Sequence, residues 1–146
     1  MLNHRLFSER LKEFMDEYEL NETALSEKIK MSRVSVSGIL NGAHDPSTKF
    51  LINVAELFHC SADYLLGLTD YPKQTEFEPV KDFGICFRKF LKDFKTSQYY
   101  LKKELHISSS LTYKWLYKNT TPSVNMLIKL AKRFGCSVDY LLGREK

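Results

Sequence analysis

The sequence predicts an all-α fold of two tandem five-helix domains joined by a short linker. Three observations carry that prediction. A long segment recurs, apolar residues follow helical spacing in each copy, and no useful stretch alternates apolar with polar residues as a half-buried strand does. The chain has 146 residues with 43% hydrophobic and 27% charged side chains, which is typical of a soluble globular protein of one or two domains.

The repeat aligns without a gap. Residues 7–67 and 83–143 match at an offset of 76, with 18 identities in 61 positions. The strongest match is Cys60-Ser-Ala-Asp-Tyr-Leu-Leu-Gly67, which recurs as Cys136-Ser-Val-Asp-Tyr-Leu-Leu-Gly143. The chain therefore holds two homologous units of about 65 residues, a size that can just support its own hydrophobic core.

The domain boundaries follow from the join between the two copies. Pro72, Pro79 and the lack of apolar periodicity mark a linker. We predict a first domain over 1–68, a linker over 69–81 and a second domain over 82–146. Fully extended, the 14 residues from 68 to 81 reach at most about 50 Å.

Each unit is predicted to contain five helices. Apolar residues three and four apart define an amphipathic first helix, and polar residues with N-cap preference precede the shorter ones. The expected N-caps are Asn21, Ser32 and Ser61 in the first unit and Ser97, Ser108 and Ser137 in the second. The second helices are expected over 22–29 and 98–105, and the third over 33–40 and 109–116.

Two short helices joined by a turn of a few residues form a helix-turn-helix pattern. Both units resemble the Cro/phage-repressor type of helix-turn-helix domain, also called the xenobiotic-response-element family. The resemblance covers about 120 of the 146 residues and rests on the segments 25–32, 39–42, 46–47 and 61–67 and on their counterparts in the second unit. It implies that the third helices, about 33–41 and 109–117, are recognition helices in the major groove of DNA.

In the first unit Val36, Ile39 and Leu40 share one helix face and are assigned to the core. An arginine fork matches guanine O6 and N7, so Arg33 is the leading candidate for reading a base. Val34 is expected to touch a thymine methyl group, the serines to reach phosphates or bases, and Asn41 resembles the phosphate-contacting position of the family. The candidate DNA-binding residues here are Arg33, Val34, Ser35, Ser37, Gly38 and Asn41.

In the second unit Thr112, Trp115 and Leu116 are expected to face inward. Gln98 resembles the phosphate-contacting glutamine of the family, and Lys114 and Lys118 add attraction that does not depend on base sequence. The candidate DNA-binding residues are Gln98, Ser109, Ser110, Tyr113, Lys114 and Lys118. Tyr113 and its neighbour Tyr117 are equally compatible with a surface that contacts a protein partner.

Both units depart from the family pattern. Glycine is common in the inter-helix turn, where this chain has Lys30 and His106, so we expect another turn shape or backbone strain. Glu22 stands where the second unit has Gln98, and a carboxylate there repels phosphate. Residues 1–70 carry 7 basic and 11 acidic side chains, a net charge of −4, whereas residues 71–146 carry 15 and 7, a net charge of +8. The second unit is therefore expected to bind DNA more strongly without regard to sequence.

Several function classes are not expected. Three cysteines without framework spacing argue against a disulfide scaffold, and all three are interpreted as packing residues. Four scattered histidines and the absence of a glycine-rich phosphate loop predict no metal, no cofactor and no enzymatic activity. No apolar run approaches the roughly 20 residues of a membrane span, and the N-terminus does not resemble a secretory signal, so a cytoplasmic location is expected.

The leading hypothesis is a sequence-specific regulator that binds double-stranded DNA, of phage or mobile-element type. Its two domains would act as an intramolecular pseudo-dimer in place of the usual homodimer, although a homodimer stays open. One alternative is a protein-interaction module, in which the acidic first domain binds a partner or the fifth helices pair between chains. Another is an antitoxin or anti-repressor, in which at least one domain has lost DNA binding.

Overall fold

The computed structural model describes residues 1–72 and 76–145, and the regular structure in those two ranges is helical throughout. The chain divides into two compact units, Met1–Glu76 and Phe77–Lys146. Five of the described helices fall in each unit. The prediction of an all-α chain with two helical domains in tandem is confirmed.

The helices follow one another in the same order in both units. The first unit contains α1 (His4–Glu17), α2 (Glu22–Ile29), α3 (Arg33–Leu40), α4 (Thr48–Leu57) and α5 (Ala62–Leu65). The second contains α6 (Phe83–Asp93), α7 (Gln98–Leu105), α8 (Ser109–Tyr117), α9 (Val124–Phe134) and α10 (Val138–Leu141). The expected bounds of the second and third helices hold, except that α8 continues one residue further.

Side-chain caps fix where these helices begin. The Asn21 side chain accepts from the Ala24 amide at 2.8 Å, and Ser32 accepts from the Ser35 amide at 3.1 Å. The predicted caps Ser61, Ser97, Ser108 and Ser137 make the same bond to the third residue after them. Each bond satisfies an amide that the helix itself leaves open, and such a cap stabilises a helix by about 1 kcal/mol.

The core of the first unit lies between its five helices, α1 to α5. Phe14 stacks on Phe58 at a centroid distance of 5.3 Å, and Tyr64 meets Phe14 edge-on. The fully buried residues include Phe7, Leu11, Leu25, Val36, Phe50, Leu51, Val54 and Leu65. Burying each large apolar side chain contributes about 1.5–3 kcal/mol, so this layer supplies the main stabilisation of the unit.

The core of the second unit is built around Trp115. Its ring lies edge-on to Phe83 and Phe87, with centroid distances of 5.6 and 5.2 Å. Gly84 makes room for this packing, because a Cβ there would lie 3.0 Å from the carbonyl oxygen of Trp115. Trp115 and Thr112 are buried as expected, whereas Leu116, which was also expected to face inward, is only half-buried.

The predicted linker, 69–81, includes residues 73–75, which lie outside the described residues. The segment before them is held to the first unit: Arg10 donates to the Thr69 carbonyl at 2.7 Å, and the Ser61 amide donates to the Pro72 carbonyl at 3.0 Å. The segment after them is held to the second unit, where the Glu78 amide donates to the Arg144 carbonyl at 2.7 Å. The Arg144 guanidinium also lies 4.3 Å from the centre of the Phe77 ring.

Candidate nucleic-acid interface

The turn between α2 and α3 is closed by a residue in the left-handed backbone region. Lys30 has φ 57° and ψ 44°, and the next amide, on Met31, donates back to the Ser26 carbonyl at 3.0 Å. His106 has φ 57° and ψ 32° at the same place in the second unit. The turn therefore keeps a left-handed conformation, even though neither copy has glycine there. Left-handed backbone costs an L-residue about 1–2 kcal/mol, so the expected strain is present in both turns.

Burial of one face of α3 determines which side chains face outward. Val36, Ile39 and Leu40 are buried, as the sequence predicted. Arg33 and Val34 occupy the first turn of the helix and are exposed, with 79% of the Val34 surface accessible. This end of a recognition helix is the part that approaches base edges.

Of the four remaining candidates on α3, three are less exposed to solvent and one, Asn41, is exposed. The Ser32 hydroxyl donates to Ser35 Oγ at 2.8 Å, so Ser35 is part of the cap and is half-buried. Asn41 is exposed and its amide lies 3.4 Å from the Ser37 hydroxyl. Gly38 is covered by the ring of His44, which occupies the place that a side chain at position 38 would need. The structure thus places Arg33, Val34 and Asn41 on open surface and holds Ser35, Ser37 and Gly38 closer to the protein.

In the second unit a side-chain bond links the two helices of the motif. The Thr112 hydroxyl donates to Gln98 Oε1 at 2.9 Å. Because the bond uses the oxygen of the Gln98 amide, the nitrogen of that amide keeps its capacity to donate to a phosphate. The aligned positions in the first unit are Glu22 and Val36, and valine has no hydroxyl to make this bond.

The outward face of α8 is basic and aromatic. Ser109, Ser110, Lys114 and Lys118 are exposed. Tyr113 and Tyr117 are 51% and 60% exposed, and their ring centroids lie 5.0 Å apart. The segment from Ser109 to Lys118 contains no acidic residue. The surface can therefore attract a polyanion without internal charge repulsion from carboxylates on the same helix.

Two residues at these surfaces were missed by the sequence reasoning. His44 packs on Gly38 of α3 in the first unit. Arg88, on α6, donates to the Leu116 carbonyl at 3.2 Å, and its guanidinium carbon lies 5.5 Å from the centre of the Tyr117 ring. Both contacts join segments that are not neighbours in the helix pattern, so helical periodicity carries no signal for them.

A groove at the end of α2 adds positive charge beside the turn that joins α2 to α3. Its polar lining consists of three lysines, one amide and one carboxylate, so that its net charge is positive: Lys28, Lys30, Lys49, Asn53 and Glu56. The lysines belong to α2, the inter-helix turn and α4, so the net acidity of the first unit is not spread evenly over its surface. A cationic region next to the helix-turn-helix favours contact with a phosphate backbone.

Other kinds of site receive no support in the part of the chain that the structure describes. In residues 1–72 and 76–145, no three histidine, cysteine or acidic side chains lie together as a metal site needs. No described helix has the length and apolar character to cross a bilayer. Cys60 and Cys86 are buried and Cys136 is half-buried. Packing accounts for the two buried thiols.

Comparison with known proteins agrees with the geometry of both units. The helix-turn-helix family model matches the chain twice, over residues 11–65 and 87–141. The chain is also similar to an uncharacterized HTH-type transcriptional regulator of Bacillus subtilis (strain 168), YobD. The two are 32% identical over 79 residues, which is 53% of this chain and 70% of the relative. No solved structure matches the chain significantly. The two matches include both turns and both third helices, and the chain belongs to the Cro/C1-type helix-turn-helix family, with two such domains in tandem.

Proposed function

We propose that this protein is a sequence-specific transcription regulator that binds double-stranded DNA, with α3 and α8 as recognition helices in the major groove. The observation that carries the proposal is the exposed first turn of α3, which is capped by Ser32 and held outward by three buried residues. That arrangement presents a rigid helix end to the base edges.

Base reading is assigned to the first unit. Arg33 offers two parallel donors to guanine O6 and N7, and Val34 offers an apolar surface to a thymine methyl group. Asn41, at the other end of α3, is placed to reach the backbone. Ser35, Ser37 and Gly38 contribute through the shape of the helix surface, since their own contacts keep them close to the protein.

Backbone attraction is assigned chiefly to the second unit. Lys114 and Lys118 supply charge, Gln98 supplies an amide donor, and Ser109 and Ser110 supply hydroxyls at the first turn of α8. Contacts of this kind fix position on the duplex and carry no base information directly. The two domains of one chain then replace the two protomers of a dimer, and the tether raises the effective concentration of the second domain.

The decisive experiment selects bound duplexes from a random pool with the full chain at about 0.15 M salt, where non-specific binding is already weak. We expect an enriched motif with two half-sites. On that site Arg33→Ala should lose about 5- to 150-fold in affinity while its binding to random duplex changes little, because it removes a bidentate base contact.

Lys114→Ala serves as the contrasting variant. Its affinity should fall by a similar factor on the selected and on random duplex, and the slope of log K against log salt should flatten by about 0.9. Lys92→Ala, which removes an exposed lysine on α6, is the matched control and should leave both affinities unchanged. Equal effects of Arg33→Ala on selected and random DNA would refute its role in reading a base.

A second candidate function follows from the acidic first unit. Glu22 stands half-buried at the start of α2, where the second unit has Gln98, and it disfavours a phosphate at that point. In this alternative the first unit docks on a protein and only the second touches DNA. A selected motif with a single half-site, bound with an affinity that Arg33→Ala does not change, would support it.

A further inference from the structure

The face of α8 carries an aromatic pair that the reading of a duplex does not require. Tyr113 and Tyr117 lie one turn apart, their ring planes are tilted by 49°, and more than half of each residue is exposed. The aligned residues on α3 are Ser37 and Asn41, which are small and polar. Two large rings therefore project from the second unit where the first has short side chains.

Positive charge surrounds the two rings. Lys114 is exposed on the same helix and Lys118 is exposed at its C-cap. The Arg88 guanidinium lies 5.5 Å from the Tyr117 ring centre. A phosphate chain is attracted to such a surface, whereas a second copy of this chain would bring the same cations into opposition. The charge thus favours a nucleic acid over self-association as the occupant.

The pair stands on a rigid support. Trp115, between the two tyrosines in sequence, is buried against Phe83 and Phe87 and anchors α8 to α6. Arg88 is held in place by its bond to the Leu116 carbonyl, beside the close approach that Gly84 allows. The rings and the guanidinium are consequently presented in a fixed arrangement, so that little conformational freedom is lost when a ligand binds.

We propose that Tyr113 and Tyr117 form a stacking platform for unpaired bases, and that the second unit binds single-stranded DNA through it. Exposed aromatic rings beside a cationic track are the combination that binds single strands without sequence preference. Paired bases inside a duplex stack on one another and offer no free face to a tyrosine ring. Lys114, Lys118 and Arg88 hold the phosphates on either side. This activity goes beyond duplex reading and belongs to α8 alone, since α3 has no ring at these positions.

The test measures binding of the full chain to a fluorescent oligothymidine of about 16 nucleotides, the upper site size of a small single-strand-binding fold. A random duplex of the same length is measured in parallel. Replacing both tyrosines by leucine, Tyr113→Leu with Tyr117→Leu, removes both rings. Oligothymidine binding should weaken by about tenfold or more, because the stacking contact between each ring and a base is lost. Binding of the random duplex should weaken by a clearly smaller factor, because the rings cannot stack on paired bases.

Two controls separate stacking from other causes. Replacing both tyrosines by phenylalanine keeps the rings and should retain oligothymidine binding to within about twofold. Tyr71→Leu removes a tyrosine of the first unit that is 76% exposed and should have no effect. The fluorescence of Trp115, the chain's single tryptophan, reports whether the second unit of each variant is folded.

Unchanged oligothymidine binding by the leucine variant would overturn the platform, as would equal losses on single strand and duplex. A tyrosine-dependent dimer in light scattering without DNA would assign the surface to a second copy instead. Failure of the wild-type chain to bind oligothymidine would also overturn it. That failure would leave the duplex proposal standing, because the duplex experiment is read through Arg33 on α3.

Discussion

Lys30 and His106 hold the left-handed backbone on which each inter-helix turn depends. Their φ values are both 57°, in the region that glycine enters at little cost. Sequence reasoning predicted either a different turn or strain, and the structure has the same turn with the strain retained. The Met31 amide bond to Ser26 and the Ile107 amide bond to Leu101 need this geometry, so the backbone keeps it in spite of the side chain.

Glycine at either position is therefore expected to stabilise its own unit. Lys30→Gly and His106→Gly should each raise the free energy of unfolding by about 0.5–1 kcal/mol, since relief of the left-handed penalty exceeds the entropy cost of glycine. For a domain of this size the gain corresponds to a rise in Tm of about 2–8 °C. Thermal unfolding followed by circular dichroism measures the first variant, and Trp115 fluorescence the second.

Lys28→Gly is the matched control for that pair. Lys28 lies inside α2, two residues before the turn, and is exposed in right-handed helix. Glycine there should lower the free energy of unfolding by about 1 kcal/mol. If all three glycine variants destabilise, the left-handed residues carry no relievable strain.

A second residue-scale feature is the cluster of Lys89, Asp93 and Tyr140 in the second unit. The Lys89 ammonium donates to Asp93 at 2.6 Å and the Tyr140 hydroxyl donates to it at 2.5 Å. The bond from Lys89, and after it the bond from Tyr140, holds the pKa of Asp93 below its ordinary 3.8. Burial, and after it the bond to Asp93, raises the pKa of Tyr140 above its ordinary 10.0.

These two shifts predict how the stability of the second unit depends on pH. Because the pKa of Asp93 is depressed, its ionised form stabilises the folded unit above pH 3.8, and this stabilisation is lost as the pH falls below 3.8. Because the pKa of Tyr140 is raised, its protonated form stabilises the folded unit, and this stabilisation is lost as the pH rises beyond 10.0. Urea unfolding followed by Trp115 should show wild type more stable than Tyr140→Phe at neutral pH, with the difference shrinking at both extremes. Tyr64→Phe, at the aligned position of the first unit, should not change this profile, and a difference that is constant with pH would contradict the assignment.

At the scale of the helices, local sequence determined most of what was predicted correctly. The expected caps Asn21, Ser32, Ser97 and Ser108 all accept the amide of the third residue after them, and α2 and α7 have the predicted bounds. A cap and an apolar stripe act within one or two turns, so a single segment contains the information. The repeat doubled that information, because every signal could be read twice.

Contacts between helices could not be predicted in the same way. In the first unit the Ser8 hydroxyl donates to the Leu40 carbonyl at 2.6 Å. In the second unit glycine, Gly84, stands at the position of Ser8. There Arg88 donates to the carbonyl of Leu116, which is the counterpart of Leu40. The exchange accompanies a close approach of the α8 backbone to α6, because a Cβ at position 84 would lie 3.0 Å from the Trp115 carbonyl oxygen. Volume and hydrogen bonding compensate one another across elements far apart in sequence, and periodicity records neither. The same limit explains why the His44 cover on Gly38 was not foreseen.

At the scale of the whole chain, the two bound ends of the linker shorten the tether. Thr69 and Pro72 are held by the first unit, and Phe77 and Glu78 by the second. The chain between Pro72 and Phe77 spans five steps, which extend to at most about 18 Å, compared with the roughly 50 Å expected for a free segment from 68 to 81. A short tether limits the distances at which both units can occupy one duplex.

The proposed duplex binding should therefore depend sharply on the spacing of the half-sites. With wild-type chain we expect duplexes of one spacing to bind best and affinity to fall steeply at others. Inserting about 10 glycine and serine residues between Gln74 and Thr75 adds a flexible segment with an r.m.s. length of about 17 Å, and the preference should broaden. Appending the same segment after Lys146 lengthens the chain without lengthening the tether and should leave the profile unchanged.

A profile that the internal insertion does not broaden would mean that the units bind independently or that the linker ends detach on DNA.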